Sequence, residues 1–340
     1  MQVLKNKLEV GGRTTVVFLL SVLTVVGSSH LIVPVSALGP SSLASNTYSP
    51  AYVAFGDSLT TGSSIPTCQD DRGSSPWGCK ENPTAAVPYP NRVAQALHLT
   101  YSDSPQDYRQ GRTNQLGLYR AGIWGYTAQE AVRAQKNGHN EVGNWMPQLE
   151  AVKRARQLVT GALGINDMQF SNVAKWAKLY LKPGGDHITP EVQAVIKTRQ
   201  KDFNKLFGSL QDAKENGAKV IVTAYYNPYD ADTAGCEDLK EIGNRIVDTL
   251  DTELIDRAHQ SHLSVTDFRR KFSGHGAGSQ DSYVFGSECK IDAVFRTWFL
   301  SLVRGMDAQK AVAIKFDPHP NSNGTLAMAN AILQEYNNAD

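Results

Sequence analysis

The 340-residue chain is 41% hydrophobic and 20% charged, with 34 basic residues against 33 acidic ones and a formal net charge of +1. This composition suits a full-sized buried core and excludes a disordered or coiled-coil protein. The near-neutral balance, without a basic stripe, excludes electrostatic capture of nucleic acid and leaves no polybasic patch for a membrane surface.

At the N-terminus, Lys5, Lys7 and Arg13 precede an apolar run over Val16–Val26, and Val35-Ser36-Ala37 follows. These are the three parts of a secretory signal peptide, so residues 1–37 are expected to be removed and the protein to be extracellular. The apolar run is shorter than the roughly 20 residues of a membrane-spanning helix, and no later run reaches that length. Loss of residues 1–37 removes three basic residues and one acidic one, leaving a formal charge of −1. Residues 38–50 are rich in Ser, Pro and Gly and read as a flexible leader.

From Ala51 onward, short apolar runs alternate with helical periods, the pattern of a parallel sheet with crossover helices. Strands are expected at Tyr52–Phe55, Leu118–Ile123, Leu158–Leu163, Val220–Tyr225 and Leu263–Val265. Thr127–Glu130 (TAQE) is a capping box that opens a helix. Further helices are expected at Glu191–Asn216, at about Asp238–Gln260, and at about Ser322–Tyr336 with Leu326, Ile332 and Leu333 inside. The stretches 171–190, 226–238 and 270–315 read as insertions at the rim where strands end. Residues 51–340 are expected to form one domain, an α/β fold with a parallel sheet, and a monomer.

An exported chain keeps its thiols oxidised, so Cys68, Cys79, Cys236 and Cys289 are expected as two disulfides. Of the three connectivities, Cys68–Cys79 with Cys236–Cys289 is favoured, because the first pair closes a short loop rich in Gly, Pro and Ser. No C-x-x-C and no histidine at zinc spacing is present, so neither a metal nor another cofactor is expected. His139, His187, His259, His262 and His275 have no partnered spacing and are expected in loops or at the surface. Tyr225, Tyr226 and Tyr229 end the fourth strand, where they either line a cleft or fill the core.

Ligands of an open parallel sheet gather beyond the carboxyl ends of its strands. Ser58 follows the first strand in AYVAFGDSLTTG, where it either caps a helix or presents a nucleophilic hydroxyl. Asn166 in GIND follows the third strand, as a turn residue or an amide donor. Gly125 in AGIWGYT sits between a strand and a helix, where its N–H can approach a ligand closely. In FDPHPNSNG, Asp317 and His319 each precede a proline, which extends the backbone at both. Residues two apart in an extended chain share a side, so the carboxylate can reach the imidazole; the alternative is a solvent-exposed Asp-Pro turn with a bystander histidine.

The blocks GDSL at 56–59, the glycine of AGIWG, GIND at 164–167 and DPHP at 317–320 resemble, in order and spread, those of the GDSL family, the SGNH hydrolases. The resemblance runs from Ala51 to the final helix. It implies a three-layer α/β/α sandwich with about five parallel strands, flavodoxin-like, and ester hydrolysis without a cofactor, as in secreted actinobacterial lipases and esterases. Within that pattern Ser58 is the nucleophile, His319 the base, and Ser58, Gly125 and Asn166 the oxyanion-hole donors. The substrate would be a small-molecule, lipid or carbohydrate ester. One departure is present: the family places its aspartate three residues before the histidine, and Asp317 is two before His319. Either Asp317 or a backbone carbonyl therefore orients the imidazole. The rival reading keeps the fold as a non-catalytic secreted module for carbohydrate or surface binding, since fold alone does not fix function.

Overall fold

The computed structural model describes residues 48–62, 87–102, 116–137, 146–303, 312 and 316–338. The expected signal peptide, most of the leader, Cys68, Cys79 and His139 lie outside the described residues. Five parallel strands form one sheet in the order β2-β1-β3-β4-β5: β1 (Tyr52–Ala54), β2 (Leu118–Arg120), β3 (Leu158–Gly161), β4 (Lys219–Ala224) and β5 (Ser264–Asp267). β1 lies between β2 and β3, with Tyr52 in register with both Leu118 and Leu158. Every residue of β1, β2 and β3 is buried, as befits strands covered on both faces. β5 sits at the edge and is the most polar strand.

The helices are α1 (Ser58–Thr61), α2 (Tyr89–Ala96), α3 (Ala128–Asn137), α4 (Gln148–Arg154), α5 (Val173–Tyr180), α6 (Ile188–Glu215), α7 (Glu237–Gln260), α8 (Phe268–Phe272), α9 (Ile291–Val303) and α10 (Ser322–Asn338). α3, α4 and α7 pack on α6, whereas α2 and α8 pack on α10, giving a helical layer on each face of the sheet. The expected α/β/α sandwich with five parallel strands is what the chain forms. Among the described residues, no helix is long and apolar enough to cross a membrane.

Several boundaries differ from expectation for identifiable reasons. β3 stops at Gly161, whose φ of +144° departs from strand geometry and whose missing side chain lets Phe55 O approach. α6 begins at Ile188, before Pro190, because a proline in the first turn gives up only an N–H that would be unsatisfied anyway. Asp186 Oδ1 accepts from Ile188 N (2.9 Å) and Thr189 N (3.2 Å) there. On α10 the inner face is Thr325, Met328, Ala329 and Ile332; Ile332 is buried as expected and Leu333 packs partly against the core, whereas Leu326 is 45% exposed. The stretches 171–190 and 270–315 contain α5 and α9, which expectation left as unassigned insertions. Tyr48, placed in the leader, is buried and donates its hydroxyl to Leu116 O (3.1 Å).

The capping box holds. Thr127 N donates to Glu130 Oε2 (2.9 Å) and Glu130 N to Thr127 Oγ1 (3.2 Å), while Ala128 N donates to Asp167 Oδ2 (2.8 Å). Replacing Thr127 by Ala removes one acceptor from the helix start and should lower stability by about 1 kcal/mol, read as a lower urea midpoint at constant m.

Candidate active site

The sheet order places a crossover reversal between β1 and β3, because the chain leaves β1 toward β2 and returns past it to β3. The crevice beyond the carboxyl ends at such a switch point is where open α/β sheets bind ligands. Ser58 follows β1, Gly125 follows β2 and Asn166 follows β3, so three of the four sequence blocks flank this reversal.

Ser58 is the first residue of α1, a single helical turn, and is 7% exposed. Asp57 caps the turn, its Oδ1 accepting from Leu59 N (3.0 Å). Gly56 is pinned by Gln148, which donates Nε2–H to Gly56 O (3.1 Å) and accepts from Gly56 N through Oε1 (2.7 Å). The loop after β2 lies on this turn: Ala121 N donates to Ala54 O (2.8 Å) and Ile123 N to Gly56 O (3.1 Å). Asn166 Nδ2 donates to Tyr126 O (3.1 Å), tying the loop after β3 to Gly125 through the next residue. One amide hydrogen of Asn166 remains for another acceptor. Among the described residues nothing accepts from the N–H of Ser58 or Gly125. Gly125 has a φ of +71° and open space where a side chain would stand.

His319 comes from the segment before α10. Its Nδ1 lies 2.5 Å from Asp317 Oδ1, and its backbone N donates to the same oxygen (3.0 Å). The two X-Pro steps therefore aim both side chains to one side, as the sequence requires. Both residues are buried, at 1% and 6% exposure. All four carbonyls of residues 316–319 are engaged elsewhere: Phe316 O by Tyr229 Oη–H (3.2 Å), Asp317 O by Gly286 N (2.9 Å), Pro318 O by Tyr226 Oη–H (2.6 Å) and His319 O by Phe285 N (2.9 Å). Gly286 permits its contact because a Cβ there would stand 2.7 Å from Asp317 O. The strap that carries Phe285 and Gly286 is fastened three residues later by the disulfide Cys236–Cys289, the second expected pair.

Consecutive tyrosines at the end of β4 join the two halves. Tyr225 donates its hydroxyl to Asp57 Oδ2 (2.9 Å), beside Ser58, and Tyr226 donates to Pro318 O, beside His319. Both are buried, so these tyrosines are core residues that also position the rim. Burial pushes the Asp57 carboxyl up to about 6, against the Leu59 N–H, the Tyr225 hydroxyl and the nearby His319. The last of these puts the imidazole within electrostatic reach of the Ser58 turn. Ser58 and His319 are not hydrogen-bonded to each other in this structure. Asp167 is likewise raised to about 6 by burial, offset by the Ala128 N–H and by Arg199, whose Nε is 3.1 Å away; it anchors α3 to the Asn166 loop.

Sequence reasoning missed Gln148, Asp57 as a buried acid, and Trp124. The Trp124 ring stacks on His319, with centroids 6.4 Å apart and planes within 25°. It also set His275 aside, whereas that ring stacks on Tyr283 (centroids 4.0 Å) and pairs with Asp281 Oδ2 (2.9 Å). Among the described residues no cluster of three or more His, Cys, Asp or Glu is placed to hold a metal.

No family model matches the chain, and no curated protein matches it. Solved structures that it resembles include an extracellular lipase from Streptomyces rimosus, at 14% identity over 84% of this chain and 99% of that one, with a TM-score of 0.49. A phospholipase A1 from Streptomyces albidoflavus is similar at 17% identity over 84% and 99% of the two chains, with a TM-score of 0.48. A lipase from a goat rumen metagenome is similar at 16% identity over 84% and 96%, with a TM-score of 0.45.

Proposed function

We propose that this chain is a secreted serine hydrolase of carboxylic esters, of the GDSL/SGNH type, with Ser58 as nucleophile, His319 as general base and Asp317 as the residue that orients it. The observation that carries the reading is the pair of tyrosines ending β4, which bind the residues next to Ser58 and next to His319 and so support a convergence of the two beyond the ends of the strands.

Asp317 accepts from Nδ1–H of His319, which leaves Nε2 as the base. Closure of the imidazole onto Ser58 Oγ, of the kind substrate binding commonly induces, completes the pair. His319 takes the hydroxyl proton as Oγ bonds to the ester carbonyl carbon, and the tetrahedral oxyanion is met by Ser58 N–H, Gly125 N–H and the free amide hydrogen of Asn166. Collapse expels the alcohol, protonated by the imidazolium, and leaves an acyl-enzyme. Water, deprotonated by His319, then hydrolyses it and restores the serine. Each bond made and broken is balanced within these groups. The shortened Asp-to-His spacing is absorbed by the extended DPHP backbone, which brings Asp317 Oδ1 to His319 Nδ1.

The test is covalent. A fluorophosphonate probe should label the folded protein, peptide mapping should place the adduct on Ser58, and a short p-nitrophenyl ester should be turned over. Folded protein that takes no label and hydrolyses no ester of any chain length would overturn the reading.

A further inference from the structure

The segment that carries His319 has few backbone donors of its own. Pro318 and Pro320 lack an N–H, and His319 N turns back to Asp317 Oδ1. Its position therefore rests chiefly on the bonds its carbonyls accept, and a strap over Ser282–Cys289 supplies two of them. Gly286 N donates to Asp317 O and Phe285 N to His319 O, both at 2.9 Å. Val284 bridges antiparallel to Pro320, and Asn321 N donates to Tyr283 O (2.9 Å). Asn321 Nδ2 adds bonds to Ser282 O (2.6 Å) and Val284 O (3.2 Å). The strap is thus a short antiparallel partner laid along the Asp317–His319 pair.

Its two ends are held differently. At the start, the Tyr283 ring stacks on His275 with centroids 4.0 Å apart and meets Phe272 edge-on at 5.5 Å. Past Gly286 the chain has no regular structure until α9, and the amides of Cys289 and Lys290 turn back onto Glu288 Oε1. This end is tied covalently to the body of the fold. Cys289 is bonded to Cys236, the N-cap residue of α7, which packs on α6, β4 and β5, and both cysteines are buried. Cutting that bond frees the Phe285–Gly286 end of the strap, while the sheet and its helices keep their own contacts.

We propose that Cys236–Cys289 is a positioning bond for the candidate base, holding the strap so that Asp317 and His319 stay aimed at Ser58. The assignment rests on the ester-hydrolase reading and adds residues that touch neither substrate nor the reacting atoms, so their loss should slow turnover without weakening binding. The double variant Cys236→Ala, Cys289→Ala is assayed on p-nitrophenyl butyrate at a temperature where its far-UV circular dichroism matches wild type. Its kcat should fall at least about tenfold, toward the hundredfold that a misplacement of about 1 Å costs, with KM within about twofold of wild type. Labelling of Ser58 by the fluorophosphonate, which uses the same base, should slow by a similar factor. A folded double variant with wild-type kcat overturns the proposal. Gly286→Ala keeps the disulfide and decides the matter if the double variant does not fold: its Cβ would stand 2.7 Å from Asp317 O, so the strap must part from the pair and kcat should again fall with KM held. Wild-type kcat in that variant overturns the proposal as well. Wild-type protein that takes no label on Ser58 and turns over no ester removes the hydrolase reading instead, a result independent of either variant.

Discussion

Asp317→Asn should lower kcat on a p-nitrophenyl ester by about three to four orders of magnitude, the scale seen when a histidine base loses its orienting carboxylate. The side chain accepts from both Nδ1 and the backbone N of His319 through one oxygen. Asparagine keeps an acceptor for the backbone N–H, so the loop should hold its shape. Its one oxygen can stand where Oδ1 stands, but the neutral amide supplies no counter-charge to the imidazolium that forms as Ser58 attacks, and its amide hydrogens compete for the ring-facing position. The carbonyls of residues 316–319 are held by Tyr229, Gly286, Tyr226 and Phe285, and none of them is paired with the imidazole in this structure. Circular dichroism and the thermal midpoint should stay close to wild type. A variant that retains full activity would show that another acceptor holds the imidazole and would overturn Asp317 as the orienter.

Sequence is informative here where a constraint is local and silent where it is long-range. β1 to β4 were legible because each is a short apolar run, and parallel strands buried on both faces carry that signal directly, whereas the polar edge strand β5 was signalled only by Leu263 and Val265 at its start. The pairing of Asp317 with His319 was legible because two X-Pro steps constrain the backbone locally. Gln148 was not, since its bonds to Gly56 span 92 positions and nothing in QLEAVKR distinguishes a buried anchor from a surface glutamine. Trp124 stood in plain view beside Gly125, but stacking on a residue almost 200 positions away leaves no local trace. α9 was missed for a different reason: Phe295, Phe299 and Leu300 on its outer side are exposed, so its apolar residues do not collect on one face as the periodic signal requires.

Asp57→Asn should separate stability from activity in opposite directions. Asp57 is 1% exposed, and burial raises its carboxyl from 3.8 to about 6 despite hydrogen bonds from Leu59 N and Tyr225. The sign follows from which state holds the proton. Below about pH 4 the acid is neutral both folded and unfolded and contributes nothing. Between about 4 and 6 the unfolded chain gives up its proton first, so stability falls as pH rises, and above about 7 the cost is constant. A shift of that size corresponds to on the order of 3 kcal/mol, and Asn removes it while keeping an acceptor for Leu59 N–H and a partner for the Tyr225 hydroxyl. The thermal midpoint of Asp57→Asn should therefore match wild type near pH 4, rise above it through pH 6, and stay several degrees higher at pH 8. Activity should move the other way. The carboxylate lies within electrostatic reach of His319 and favours the imidazolium that forms as Ser58 attacks, so its loss should lower kcat/KM on the order of tenfold. A buried charge that destabilises the fold and assists a reaction is the trade expected at a working active site. A midpoint difference that does not change with pH would show that Asp57 is not ionising inside the folded protein, and the electrostatic contribution assigned to it would fall with that result.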